Sequence, residues 1–241
     1  MSDFKTKNKI FWRTVRETLL QALAPMMMFL VAGMVMLLFF AKSYSQTKMI
    51  VWSVVCGVIA LGYDGLLTWL VGGTHYEQLV SGNMKRRSAM NSGRELNITS
   101  YKYEKEYRPW KGFAMGAWYA AIVLIGAIVL GCNQAHIGQK TSSTGLGVFV
   151  LIFDFLAGWI YLPFQIANMK VPTTVSYFHC MWFALLPIVV SGVTYICGAY
   201  AKRAKRVREQ ELAEKARQAE ENKPRKINYG GLPGTKPKKR K

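Results

Sequence analysis

Five long stretches of this 241-residue chain contain no lysine or arginine: Thr18–Ala41, Met49–Val71, Gly112–Gly131, Gly145–Gln165 and Tyr177–Tyr200. Cations are not scarce overall, since the chain holds 32 of them and a formal net charge of +19. A soluble helical core rarely clears five such windows of every cation, so the pattern argues against a soluble globular domain. Each block is about 20 residues or longer, enough for a helix to cross a hydrocarbon core roughly 30 Å thick. Only helices and closed barrels satisfy their backbones in lipid, so the expected fold is an all-α polytopic transmembrane helical bundle.

Other absences narrow the function. The four cysteines (Cys56, Cys132, Cys180, Cys197) show no CxxC spacing and read as small packing residues. The three histidines (His75, His136, His179) sit apart, without HExxH, so no metal site is expected. Walker, dinucleotide-binding GxGxxG and GxSxG patterns are missing, and no Ser–His spacing suggests a nucleophile and its base. Neither enzymatic activity nor a cofactor is expected. The first block is too long for a signal-peptide h-region, and FFAKSYS after it lacks an A-x-A site. It is expected to stay as the first spanning helix.

The cations fill the gaps between blocks. Residues 1–17 set Phe11 and Trp12 beside Arg13 and Arg16, the composition of a cytoplasmic membrane interface. The 72–111 connection holds 8 cations and alternates Tyr101, Tyr103, Tyr107 and Trp110 with charge. It reads as a solvated cytoplasmic loop with interfacial anchors, on which the Asn97-Ile98-Thr99 sequon is a chance match. Residues 18–200 form the transmembrane domain, and 201–241 a basic cytoplasmic tail with 15 cations against 5 glutamates. That tail should be helical to about residue 222, supported by Glu211–Lys215 and Glu214–Arg217 pairs, and disordered beyond. Lys202, Arg203, Lys205, Arg206, Arg208, Lys238, Lys239 and Arg240 are the candidate contacts for anionic lipid or another polyanion.

Five full crossings would put two basic termini on opposite sides, against the positive-inside rule. Four full crossings plus one re-entrant or interfacial segment remove the conflict and place both termini in the cytoplasm. Two blocks are candidates for the non-crossing segment: Gly145–Gln165, with Pro163 near its end, and Tyr177–Tyr200, with Pro187 at its centre.

Of the 13 acidic residues only Asp64 and Asp154 fall inside a block. At an offset of 90 residues Gly57, Val58, Leu61, Asp64, Leu66 and Trp69 align with Gly147, Val148, Leu151, Asp154, Leu156 and Trp159. A duplicated hairpin would set the two acids at similar depth. No block offers a cation to pair with them, so each is expected to hold its proton and hydrogen-bond across helices. The sharper alternative is a proton or cation site shared by both. Gly112, Gly116 and Gly57 are candidates for close helix packing.

In overall plan, about five apolar segments followed by a basic tail, the chain is similar to membrane insertases. That resemblance implies a ribosome-facing tail. The Arg that those insertases place in a membrane groove has no counterpart in any block. The first expectation is therefore a multi-pass cell-membrane scaffold or accessory subunit. Its partners would be the bilayer, anionic lipid, and a membrane-protein partner or second copy of itself. The alternatives are a small proton- or cation-coupled transporter and a ribosome-tethered insertion factor that binds ribosomal RNA.

Overall fold

The computed structural model describes residues 2–41, 45–81, 107–137, 144–169 and 175–222. Among them the chain forms α1 (Ser2–Ala41), α2 (Gln46–Ser81), α3 (Trp110–Cys132), α4 (Thr144–Asn168) and α5 (Leu185–Glu221). Two 3-10 segments, Gln134–His136 and Tyr177–Ala184, precede α4 and α5. Each apolar block lies in one long helical segment, and all five segments are long and apolar enough to cross a membrane. The fold is all-α, as expected, with Val58, Leu66, Leu124 and Ile128 turned outward as lipid-facing residues are. The ends of the 72–111 connection are helical, because α2 runs to Ser81 and α3 starts at Trp110. Asn97 lies outside the described residues.

Two compact units divide the chain, residues 1–202 and 203–241. Within the first, side-chain contacts fix the direction of each helix. Lys111 at the start of α3 reaches Glu17 of α1 at 3.1 Å. His75, near the end of α2, is 2.8 Å from Tyr195 of α5, and Lys202 of α5 is 2.7 Å from Glu77. So the beginnings of α1 and α3 and the returning ends of α2 and α5 share one end of the bundle, here the polar end. Glycines permit this closeness: a Cβ at Gly72 would collide with the Tyr195 carbonyl, and one at Gly198 with that of Trp69.

α4 does not cross. Its backbone leaves helical geometry at Ala157 (φ −144°, ψ 31°). Asp154 and Gln165 would stand about 16 Å apart along a straight helix. Instead their side chains bond at 2.8 and 2.9 Å, which requires the arms 144–156 and 158–168 to fold toward each other. Contacts with α3 give the orientation. On the first arm Leu156 meets Tyr119 and Phe153 meets Gly126; on the second, Trp159 meets Tyr119 and Tyr161 meets Val123. Asn168 then reaches Val175, which also bonds Gln134 just past the end of α3. Both arms therefore run from an apex near Tyr119 back to the end opposite the polar one. Of the two candidates, Gly145–Gln165 is the one that folds back on itself. The break falls at Ala157 rather than near Pro163. Pro187 sits in the first turn of α5, where its missing N–H costs little.

Non-helical backbone at membrane depth must be buried in protein. The Leu156 carbonyl accepts from Tyr119 Oη at 3.1 Å, and that of Trp159 accepts from Ser53 Oγ of α2. Gly33 lets the α1 backbone press on the Asp154 and Phe155 carbonyls. Phe29 stacks on Tyr119 at 3.9 Å, and Trp159 Nε1 donates to Tyr119 Oη at 2.9 Å, which closes the core around the apex.

In the second unit α5 continues to Glu221. The ion pair along it is Lys205–Glu209 at 3.9 Å rather than Glu211–Lys215 or Glu214–Arg217. Fully solvated side chains gain little from pairing, so sequence order does not decide which pairs form.

Candidate functional site

Helices α1, α2, α3 and α5 each send a polar side chain into the polar end of the bundle. Lys111, only 3% exposed, donates to Glu17 Oε2 at 3.1 Å. Glu17 Oε1 lies 3.6 Å from His75 Nε2. His75 in turn bonds Tyr195 Oη through Nδ1 at 2.8 Å and Gln21 Nε2 through Nε2 at 2.9 Å. An amide nitrogen donates, so that arrangement puts the His75 proton on Nδ1, facing Tyr195. Gln21 Oε1 is buried without a partner. Trp118 Nε1 adds a bond to Thr18 Oγ1 at 3.4 Å, and the Tyr107 ring stacks on Tyr195 with centroids 5.5 Å apart. Burial, and then the neighbouring Tyr200, raises the Tyr107 phenol above its ordinary range, so it stacks as a neutral ring.

None of these residues stood out in the sequence as a group. Glu17 and Lys111 flank apolar blocks and look like interfacial charges. Their pairing across 94 residues of chain follows only from the antiparallel packing of α2 between them.

The two intramembrane acids do not form a shared site. Asp64 accepts from Ser191 Oγ of α5 at 2.7 Å, one turn from a Thr68–Thr194 hydroxyl contact at 2.6 Å. Asp154 accepts from Gln165 of its own helix. The expected similar depth does not hold. Ser191 lies beside Gly112 of α3 and Phe153 beside Gly126, about 21 Å further along that helix. The aligned residues also have unlike surroundings, for Gly57 lies under the Trp159 ring while Gly147 meets open space. Trp69 is 41% exposed and Trp159 only 5%. The 90-residue match is thus not a structural repeat.

All three candidate packing glycines are at contacts. A Cβ at Gly57 would stand 2.6 Å from the Trp159 ring; at Gly112 it would stand 2.5 Å from Tyr195, and at Gly116 it would strike the Pro187 carbonyl. The GxxxG of α3 therefore serves packing against α5 within the chain. Of the basic candidates, Lys202 is engaged with Glu77 and Lys205 with Glu209, while Arg203, Arg206 and Arg208 are exposed on α5. Lys238, Lys239 and Arg240 lie outside the described residues.

Together these features define a class, a polytopic helical membrane protein with a broken α4 and a buried polar cluster. No protein-family model matches the chain, and neither a curated protein nor a solved structure matches it.

Proposed function

We propose that the chain is a non-enzymatic membrane scaffold or accessory subunit that holds a basic helix against the cytoplasmic leaflet. The observation that carries this reading is the continuity of α5. The helix that supplies Ser191 and Tyr195 to the bundle runs unbroken to Glu221, with its side chains exposed beyond Lys202. Its first two turns past Tyr200 are dense in Lys and Arg, and anionic lipid attracts such residues by about 1 kcal/mol each. In this reading α1, α2, α3 and α5 cross the membrane, α4 enters and leaves on the outer side, and both basic termini are cytoplasmic. The even number of crossings then agrees with the positive-inside rule.

Hydrogen exchange on the whole chain in nanodiscs tests the tail. Amides of residues 203–208 should slow when phosphatidylserine replaces a neutral lipid and recover in high salt. Identical rates in both bilayers would end the lipid reading. Co-sedimentation with ribosomes that is lost on truncation after Tyr200 would favour an insertion factor instead.

A second reading, a small proton-coupled transporter, is supported by one specific observation. Asp154 sits inside a broken helix at membrane depth, and discontinuous helices of this kind build coupling-ion sites in transporters.

A further inference from the structure

We infer that Asp154 is a proton-binding site enclosed by the α4 hairpin and reached from the end of the bundle opposite the polar one. This deepens the transporter reading, but the site is tested first by binding, which does not require transport.

Asp154 is 4% exposed, and among the described residues no Lys, Arg or His pairs with it. Its side-chain bonds come from Gln165 Nε2 on the opposite arm, at 2.8 and 2.9 Å to its two oxygens. The other groups within electrostatic reach are hydroxyls and a thiol. Tyr161 comes from the second arm and Tyr177 from the 3-10 segment, with Cys180 beside both. α1 faces this region with Gly33 and α3 with Gly126, neither titratable, while Tyr119 is committed to Leu156 and Trp159. Tyr177 is fully buried, and Asn168 is the side chain beside its hydroxyl.

The donor set fits a proton rather than a metal ion. An amide N–H already points at both carboxylate oxygens, which repels a cation but leaves a lone pair for a proton. Among the described residues no group of three His, Cys, Asp or Glu side chains could hold a metal. Proton binding forms one O–H bond on Asp154 and breaks none in the protein. The carboxyl then has a hydrogen to donate, and Tyr177, within its electrostatic reach, carries a hydroxyl oxygen able to accept one. Loss of that proton leaves an uncompensated buried anion, which favours parting of the two arms and entry of water where they open, beside Gln134, Asn168 and Val175.

Infrared spectroscopy of the full chain in nanodiscs reads the site directly. The wild type should show a carboxylic C=O band at neutral pH that is lost on alkalinisation, and D154N should lack it. D64N should remove a different component. Q165L and Y177F should each shift the Asp154 band, which keeps the test informative should D154N fail to fold. A spectrum of D154N identical to the wild type overturns the inference, as does an Asp154 component indifferent to pH. Proton flux in liposomes follows: flux abolished in D154N supports coupled transport. A titrating band without any flux keeps the proton site and ends the transport reading.

Discussion

Lys111 shows how little a charged residue's role can be read from its place in the chain. In sequence it belongs to a solvated loop, and in the fold it is buried against Glu17, with His75 completing the cluster. Breaking a buried ion pair leaves the other charge uncompensated, at a cost of about 3–5 kcal/mol. K111M should therefore lower stability by that order, while the double variant K111M/E17Q should recover most of the loss. Thermal unfolding in mild detergent measures both; equal losses in single and double variants would mean that packing, not charge, dominates. Asp64 carries less. Its bond to Ser191 is an interhelical hydrogen bond within a membrane, worth about 0.6 kcal/mol on average and up to about 1.7. S191A should accordingly destabilise by no more than about that upper figure. The carboxylates were legible because an acid is rare in such runs. The polar cluster was not, since its members come from four helices and no spacing rule connects them.

At the scale of elements, the folded-back α4 was announced by an inconsistency rather than by a motif. Two basic termini and five apolar blocks could not all obey one charge rule, and a Pro-containing block was the natural place to look. Pro163 nonetheless leaves the fold-back to Ala157, a residue with no breaking tendency of its own. The bend is imposed from outside. Tyr119 and Ser53 take the carbonyls at the apex, and Gly33 leaves room for the α1 backbone against it. Side-chain size at position 33 should then matter more than proline at 163. G33V places methyl groups where the Phe155 carbonyl stands and should cost about 1–3 kcal/mol, the usual range for overpacking. P163A should cost less than about 1 kcal/mol. Chemical unfolding of the two variants compares them, and a P163A variant damaged more than G33V would return the cause of the bend to proline.

For the whole molecule, the proposed side assignment rests on charge and connectivity together. The contacts among Glu17, His75, Lys111, Tyr195 and Lys202 bring the starts of two helices and the ends of two others to one end of the bundle. That end faces the cytoplasm if the positive-inside rule governs it, because the N-terminal cations, the 72–111 connection and the basic start of the tail all attach there. Reporter enzymes fused before Met1 and after Lys241 should both be active on the cytoplasmic side, and one active on each side would restore five crossings. The same assignment sets the reach of the tail. Lys202 ends the bundle unit and is paired with Glu77, so Arg203, Lys205, Arg206 and Arg208 are the first cations of α5 beyond it. At about 1 kcal/mol each, neutralising all four removes up to about 4 kcal/mol of attraction to an anionic leaflet, roughly a thousandfold in the equilibrium. Such attraction fades within a Debye length, about 8–10 Å at moderate salt, so distance from the leaflet decides which cations count. Lys238, Lys239 and Arg240 follow the last bundle residue by more than 30 positions of chain. Neutralising the proximal four should abolish the phosphatidylserine-dependent protection of residues 203–208, and neutralising the distal three should leave most of it. The reverse order would mean that the end of the chain, not the start of the exposed helix, makes the lipid contact.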